Sequence, residues 1–245
     1  MDQVKLKIKE NAPVARDVYR MVLSGNVCAV TTPGQFINIA LSGRFLRRPI
    51  SVCDRTEDAL TILYKVVGQG TAQLARMTQG ERLDVLTGLG NGFDVDAAHG
   101  RTLLIGGGIG AAPLYWLARA LKMRGVDTTA VLGFNTQKDV FYAQEFGALC
   151  ARVIIATADG SRGVKGFVTD AMDGEPYDYF YTCGPEPMLK AVYRASKSDG
   201  EFSFEERMGC GFGACMGCTC KTITGWKRIC REGPVLRKGE IAWAD

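Results

Sequence analysis

Histidine is almost missing from this chain: His99 is the only one in 245 residues. With no second imidazole and no obvious carboxylate constellation, a general acid–base site is not expected. His99 falls in a polar stretch from Asn91-Gly92 to His99-Gly100 and reads as a loop residue. Long apolar runs are missing too. The longest uncharged stretch, between Arg101 and Arg119, is broken by four glycines and a proline and falls short of the ~20 residues a spanning helix needs, so no membrane segment is expected. No block of five or more like charges occurs, and the net charge of +4 is mild, so nucleic acid is not implied as a partner. The first residues, Met-Asp-Gln-Val-Lys, hold no secretory apolar region. Nine cysteines, an odd number, cannot all pair internally. A reducing cytoplasm is the expected setting.

What is abundant is cysteine near the carboxyl end. Cys210-Gly-Phe-Gly-Ala-Cys215-Met-Gly-Cys218, with Cys230 farther on, has the C-x4-C-x2-C run and distant fourth thiol of a plant-type [2Fe–2S] site. Gly209, Gly211, Gly213 and Gly217 suit a backbone that must wrap closely round a cluster. A structural zinc site is the alternative, although its usual sign is two C-x2-C knuckles. Cys220 stands close enough to Cys218 to compete with Cys230 for the fourth position. Cys28, Cys53 and Cys150 read as small buried hydrophobes.

The texture changes along the chain. Val4, Leu6 and Ile8 alternate with Lys5, Lys7 and Lys9, and Leu60, Ile62, Tyr64 and Val66 share one side of a second strand. Thr32-Pro33-Gly34 turns the chain into Gln35–Ala40. Short strands with frequent turns predict an antiparallel barrel over residues 1–99. From residue 100 to 200, apolar runs at 101–105, 129–134, 153–156 and 179–181 alternate with helical or loop segments, which predicts a parallel α/β domain. Residues 201–245, rich in Gly, Cys and charge, predict a small metal-held module.

Two further stretches can meet phosphate. Gly106, Gly107, Gly108 and Gly110 stand between a strand and a helix with Leu114, Leu117, Ala118 and Leu121 at helical spacing; a helix amino terminus stabilises an anion that the backbone can approach. Pro113 sits where a first-turn proline is tolerated. Such turns also arise for packing alone. Arg48-Pro49-Ile50-Ser51 at one strand, with Gly68-Gln-Gly70-Thr71 after another, can hold a pyrophosphate and an isoalloxazine edge, or be an ordinary strand end and hairpin turn.

Taken in order, Arg48-Pro-Ile-Ser51, Gly106-Gly-Gly-Ile-Gly-Ala-Ala-Pro113, Asp159-Gly-Ser161 with Lys165-Gly166, and Cys183-Gly-Pro-Glu-Pro-Met188 resemble the motifs of the ferredoxin–NADP reductase superfamily. With Cys210, Cys215, Cys218, Cys230 and Arg231-Glu-Gly-Pro-Val235, the chain resembles the electron-transfer subunits of dihydroorotate dehydrogenase B. That resemblance implies an FAD-binding barrel, then an NAD-binding α/β domain, then a [2Fe–2S] module. It places FAD contacts at Arg48, Pro49, Ile50, Ser51, Lys65, Val66, Val67, Gly70 and Thr71, and Cys183 near the nicotinamide, where it can equally be a buried strand-end thiol. It makes the four cysteines cluster ligands, although the interval from Cys218 to Cys230 is short for the family. The implied activity is electron transfer from NADH through FAD and the cluster to, or back from, an FMN-containing catalytic subunit of dihydroorotate dehydrogenase in pyrimidine (UMP) biosynthesis, in a heterotetramer. Lys221, Lys227, Arg228 and Arg231 are candidates for its interface or for a solvated surface. An NAD(P)H-linked ferredoxin or sulfide oxidoreductase subunit is a second reading, with Arg162 and Lys165 leaving the 2′-phosphate question open. A non-catalytic redox sensor is a third.

Overall fold

A computed structural model describes residues 1–243. The first part is a closed antiparallel barrel of six strands: β1 (Asp2–Ala15), β2 (Val18–Ser24), β3 (Phe36–Ile39), β4 (Arg48–Arg55), β5 (Ala59–Lys65) and β6 (Arg82–Leu89), ordered β1-β2-β5-β4-β3-β6. The period-two pattern explains it. Leu6 and Ile8 are buried inside with Leu60, Ile62 and Tyr64, while Lys5, Lys7 and Lys9 are exposed. Helix α1 (Gln69–Ala75) contributes Leu74 to this interior. Gly68-Gln-Gly70-Thr71 therefore opens a helix and is not a hairpin turn. The cause is Thr71, whose hydroxyl accepts the N–H groups of Val67 and Gly68 and donates to the Gly68 carbonyl.

The second part is a seven-stranded sheet. It contains β7 (Thr102–Gly107), β8 (Thr128–Phe134), β9 (Arg152–Thr157), β10 (Val164–Lys165), β11 (Tyr179–Cys183), β12 (Gly200–Ser203) and, from the carboxyl-terminal region, β15 (Val235–Arg237). The order is β10-β9-β8-β7-β11-β12-β15, parallel except for the last pair. Side chains alternate between two cores. Leu104, Ala130, Leu132, Tyr179 and Tyr181 meet α2 (Ala111–Met123) and α3 (Ala143–Gly147), whereas Leu103, Ile105, Val131, Phe180 and Phe202 meet α4 (Val168–Met172) and α5 (Glu186–Ala195). Burial on both faces is why these strands read as unbroken apolar runs. The expected division between residues 200 and 201 falls inside β12. A hairpin of β13 (Thr219–Thr222) and β14 (Gly225–Arg228) completes the chain, and no helix is long and apolar enough to cross a membrane among the described residues.

Two seams join the parts. Val18, Cys53, Leu63 and Phe93 of the amino-terminal part enter the α2 core. Phe36, Leu86 and Leu89 of the barrel pack with Cys218, Ile229, Cys230 and Leu236. Cys53 and Cys150 are buried as expected, but Cys28 is exposed; it lies in the loop after β2, whose apolar neighbours Val27 and Val30 take the interior places.

Glu201 of β12 is 2% exposed and accepts the Asp94 N–H at 3.0 Å. Burial pushes its carboxyl up from 4.5 to about 7, despite that hydrogen bond. Between those values the folded chain keeps a proton that the unfolded chain has lost, so Glu201 makes stability fall as pH rises through that window. Urea unfolding across pH 4.5 to 7 should show this fall in the parent chain and a flatter profile in Glu201→Gln. An equal slope in both would remove Glu201 as the cause.

Candidate functional site

The thiols divide into two pairs. Cys210 and Cys215 share donors at the half-exposed end of the loop: Cys210 N–H reaches Cys215 Sγ at 3.4 Å, while the Ala214 and Cys215 N–H groups reach Cys210 Sγ at 3.2 and 3.4 Å. Cys218 and Cys230 are both 2% exposed in the apolar seam, and Cys230 N–H points at Cys218 Sγ at 3.4 Å. Burial works against charge at Cys210, but the N–H groups of Phe212, Cys215 and Ala214, together with the Cys215 thiol, hold it down at about 6. Burial, then the adjoining Cys218 sulfur, pushes Cys230 up to about 12.

Backbone shape accommodates these pairs. A Cβ on Gly209 would stand 3.1 Å from Cys215 Sγ, and Gly213, at φ +94°, has Arg231 Cδ where its Cβ would be. Among the described residues no three or more His, Cys, Asp or Glu side chains are already gathered as a bound metal ion would need. Two thiol pairs with N–H donors directed at sulfur match the donor set of a two-iron cluster. Cys220 belongs to β13, in register with Lys227.

Of the basic side chains named for an interface or a solvated surface, Lys221 and Arg231 are exposed, whereas Lys227 and Arg228 make ion pairs within the chain. Arg228 pairs with Glu232 and donates to the Gly213 carbonyl at 2.7 Å, which buttresses the loop, and Lys227 pairs with Glu240. Arg47 donates to the carbonyls of Asn38 and Asp84 at 3.3 and 3.1 Å.

The Arg48–Ser51 stretch lies on β4, paired with β3, and β3 carries Asn38, whose Nδ2 donates to the Cys210 carbonyl at 3.2 Å. The thiol loop is thus fastened to the barrel one strand away from Arg48-Pro-Ile-Ser. Gly70 lacks a Cβ where the Arg48 guanidinium passes, so arginine and the start of α1 come together. The first turn of α1 leaves N–H groups at Gln69 and Gly70 without helical acceptors. Lys65 and Val66 are half-buried beside it, and Val67 is 80% exposed. This is a polar, cationic cradle suited to a pyrophosphate, with an apolar strand next to it.

At the sheet, the order reverses between β7 and β11, the switch point where a parallel sheet opens a crevice at its carboxyl edge. Gly106, Gly107, Gly108 and Gly110 lie there with Cys183. Three of the glycines are filled by neighbours: Gly106 faces Ala111, Gly107 faces Met188 Sδ, and Gly110 faces the Cys183 carbonyl. Only Gly108 of this group, at φ +53°, opens to free space. Burial pushes the Cys183 thiol up to about 12, although Ser203 hydrogen-bonds it. Arg162 and Lys165 are exposed beyond β9. Sequence reasoning missed Asn38, which sits in an ordinary strand pattern, and the packing of Met188, whose contact with Gly107 crosses from α5 to β7.

Known proteins are similar to the nucleotide and cluster parts and to nearly the whole chain. Residues 205–242 fit the iron–sulfur cluster binding domain of dihydroorotate dehydrogenase B, and residues 104–194 fit the oxidoreductase NAD-binding domain. The dihydroorotate dehydrogenase B (NAD(+)) electron transfer subunit of Geobacillus sp. (strain WCH70) is 43% identical over 98% of this chain and 99% of its own. The chain belongs to that family of electron transfer subunits. The subunit of the same description from Fusobacterium nucleatum is 44% identical over 96% of each chain. Among solved structures, a chain of an NADH-dependent reduced ferredoxin–NADP oxidoreductase superposes with a TM-score of 0.89 at 32% identity, covering 97% of this chain and 90% of its own. A more distant ferredoxin NADP+ reductase from Neisseria gonorrhoeae, at 18% identity and TM-score 0.68, shares the fold over 80% of this chain and 90% of its own.

Serine substitution tests the thiol pairs in a family member. Cys230→Ser should lose the [2Fe–2S] absorbance and iron, and Cys220→Ser should keep both. The opposite pattern would make Cys220 the fourth ligand.

Proposed function

We propose that this chain is the electron-transfer subunit that couples the NAD+/NADH pair to an FMN-containing dihydroorotate dehydrogenase catalytic subunit, carrying electrons to or from it, within a heterotetramer serving pyrimidine biosynthesis. The observation that carries the reading is the Asn38–Cys210 hydrogen bond, which fastens the thiol loop to the strand beside Arg48-Pro-Ile-Ser. FAD, when bound, accepts electrons as a hydride pair, and a [2Fe–2S] group passes them singly.

The chain's own residues hold, orient and shield. Arg48 and the first turn of α1, with Gly70 and Thr71, take the flavin pyrophosphate; Pro49, Ile50 and Ser51, with Lys65, Val66 and Val67, border the isoalloxazine. Gly108 and the start of α2 receive the nicotinamide nucleotide's phosphates, while Gly106, Gly107 and Gly110 let the turn close against Cys183 and Met188. Cys210, Cys215, Cys218 and Cys230 hold the cluster. No residue need move a proton for hydride transfer, in keeping with the single, exposed His99. Residues 1–99, 100–200 and 201–245 correspond to the flavin, nucleotide and cluster parts, with the parallel pairing of β11 and β12 tying the last two together.

The 0.89 superposition on a chain of an NADH-dependent reduced ferredoxin–NADP oxidoreductase favours a second reading, the subunit of an NAD(P)H-linked ferredoxin or sulfide oxidoreductase. Anaerobic mixing decides between them. NADH should bleach the bound flavin rapidly and NADPH far more slowly; equal rates would favour the second reading. A flavin that neither nucleotide bleaches would contradict both and leave the sensor.

A further inference from the structure

Strand β3 alternates between two environments. Ile37 and Ile39 enter the barrel core, whereas Phe36 packs in the seam with Cys218 and Cys230 and Asn38 reaches Cys210. In register, Asn38 lies opposite Pro49 and Phe36 opposite Ser51, and directly opposed residues present their side chains on one face. The Asn38 amide therefore shares a face with Pro49 and Ser51.

Asn38 is 1% exposed, and its buried Oδ1 has no hydrogen-bond partner within the protein. An unpaired buried acceptor is costly, and an apolar side chain of similar size would avoid the cost. Packing alone does not account for asparagine here. What the side chain does supply is the donor to the Cys210 carbonyl. Gly211, next to that carbonyl, stands at φ +80°, and a Cβ there would collide with Asn38 Nδ2. From the other side, Arg47 holds the Asn38 backbone carbonyl. Loop, amide and arginine are mutually fitted.

We propose that Asn38 is a positioning residue for electron transfer: through the Cys210 carbonyl it locks the thiol loop at a set distance from the face of β4 that carries Pro49 and Ser51. This rests on the function proposed above. Asn38 acts through Cys210, because residues that orient a ligand tune the group it holds.

The test uses Asn38→Leu in the full chain carrying flavin and iron, with Asn38→Ala held to the same expectation should leucine not fit. Flavin content, iron content and flavin bleaching by NADH should match the parent. Melting temperature should be unchanged or higher, since the unpaired Oδ1 is gone and water can reach the half-exposed Cys210 carbonyl. Bleaching of cluster absorbance after NADH should slow by about 10- to 100-fold, the usual cost of losing such a partner. The EPR line shape of the dithionite-reduced cluster should also change. Asn38→Gln, which keeps a donor on a longer arm, should recover part of the rate. Parent-like cluster bleaching and EPR in the leucine variant would overturn the proposal, as would a large loss of thermal stability with unchanged EPR. Because dithionite bypasses NADH, the EPR comparison still reads if the nucleotide assignment itself fails.

Discussion

The arrangement depends on one act of burial: Cys218 and Cys230 lie in the same apolar seam that joins the carboxyl-terminal module to the barrel. Phe36, Leu86 and Leu89 come from barrel strands, Ile229 and Leu236 from the module, and each large apolar side chain so buried contributes about 1.5–3 kcal/mol. Half of the thiol set is therefore part of a hydrophobic core, and the other half projects from it. The module cannot swing away from the barrel without opening that core. β15 anchors it a second time, as the antiparallel edge of the sheet. Reactive groups work together only when their separation is held, and here ordinary packing holds it.

The barrel and the sheet are held by different means. Leu63, Val18, Cys53 and Phe93 share a core with α2. Around it, Arg16 makes a two-pronged contact with Asp139 at 2.9 and 2.7 Å, and Arg119 reaches Asp54 at 2.6 Å. Half-exposed ion pairs of this kind add little stability. Their fixed geometry instead orients one part on the other, which keeps the β7–β11 crevice facing a constant neighbour. Asp139 also caps its own turn through the Thr136 N–H and hydroxyl, so the Arg16 partner is rigid.

Periodicity made the barrel, the parallel sheet and the thiol loop legible because each repeats a local rule: alternation in β1 and β5, unbroken apolar runs in β7 and β8, and fixed spacing at Cys210, Cys215 and Cys218. Contacts between distant segments leave no such mark. The sequence shows glycine at 106, 107 and 110 but not that Ala111, Met188 and Cys183 occupy the space beside them. Gly70 looks like a turn residue until Arg48 is seen passing it. Asn38 reads as one polar residue in a strand, although its partner is 172 positions away. Arg228 reads as surface charge, yet it braces the Gly213 carbonyl. The β15 strand was hidden because three residues carry no measurable period.

In the proposed complex this chain carries electrons between the nicotinamide nucleotide and a dihydroorotate dehydrogenase catalytic subunit. Co-expression of the two chains, purification of the complex and assay of NADH-linked orotate turnover test it most directly. A stable complex should reduce orotate to dihydroorotate at the expense of NADH and form NADH from NAD+ as dihydroorotate is oxidised, and Cys218→Ser should abolish that coupling while leaving dihydroorotate oxidation by an artificial acceptor intact. A catalytic chain that neither binds this protein nor gains NADH-linked turnover from it would contradict the account.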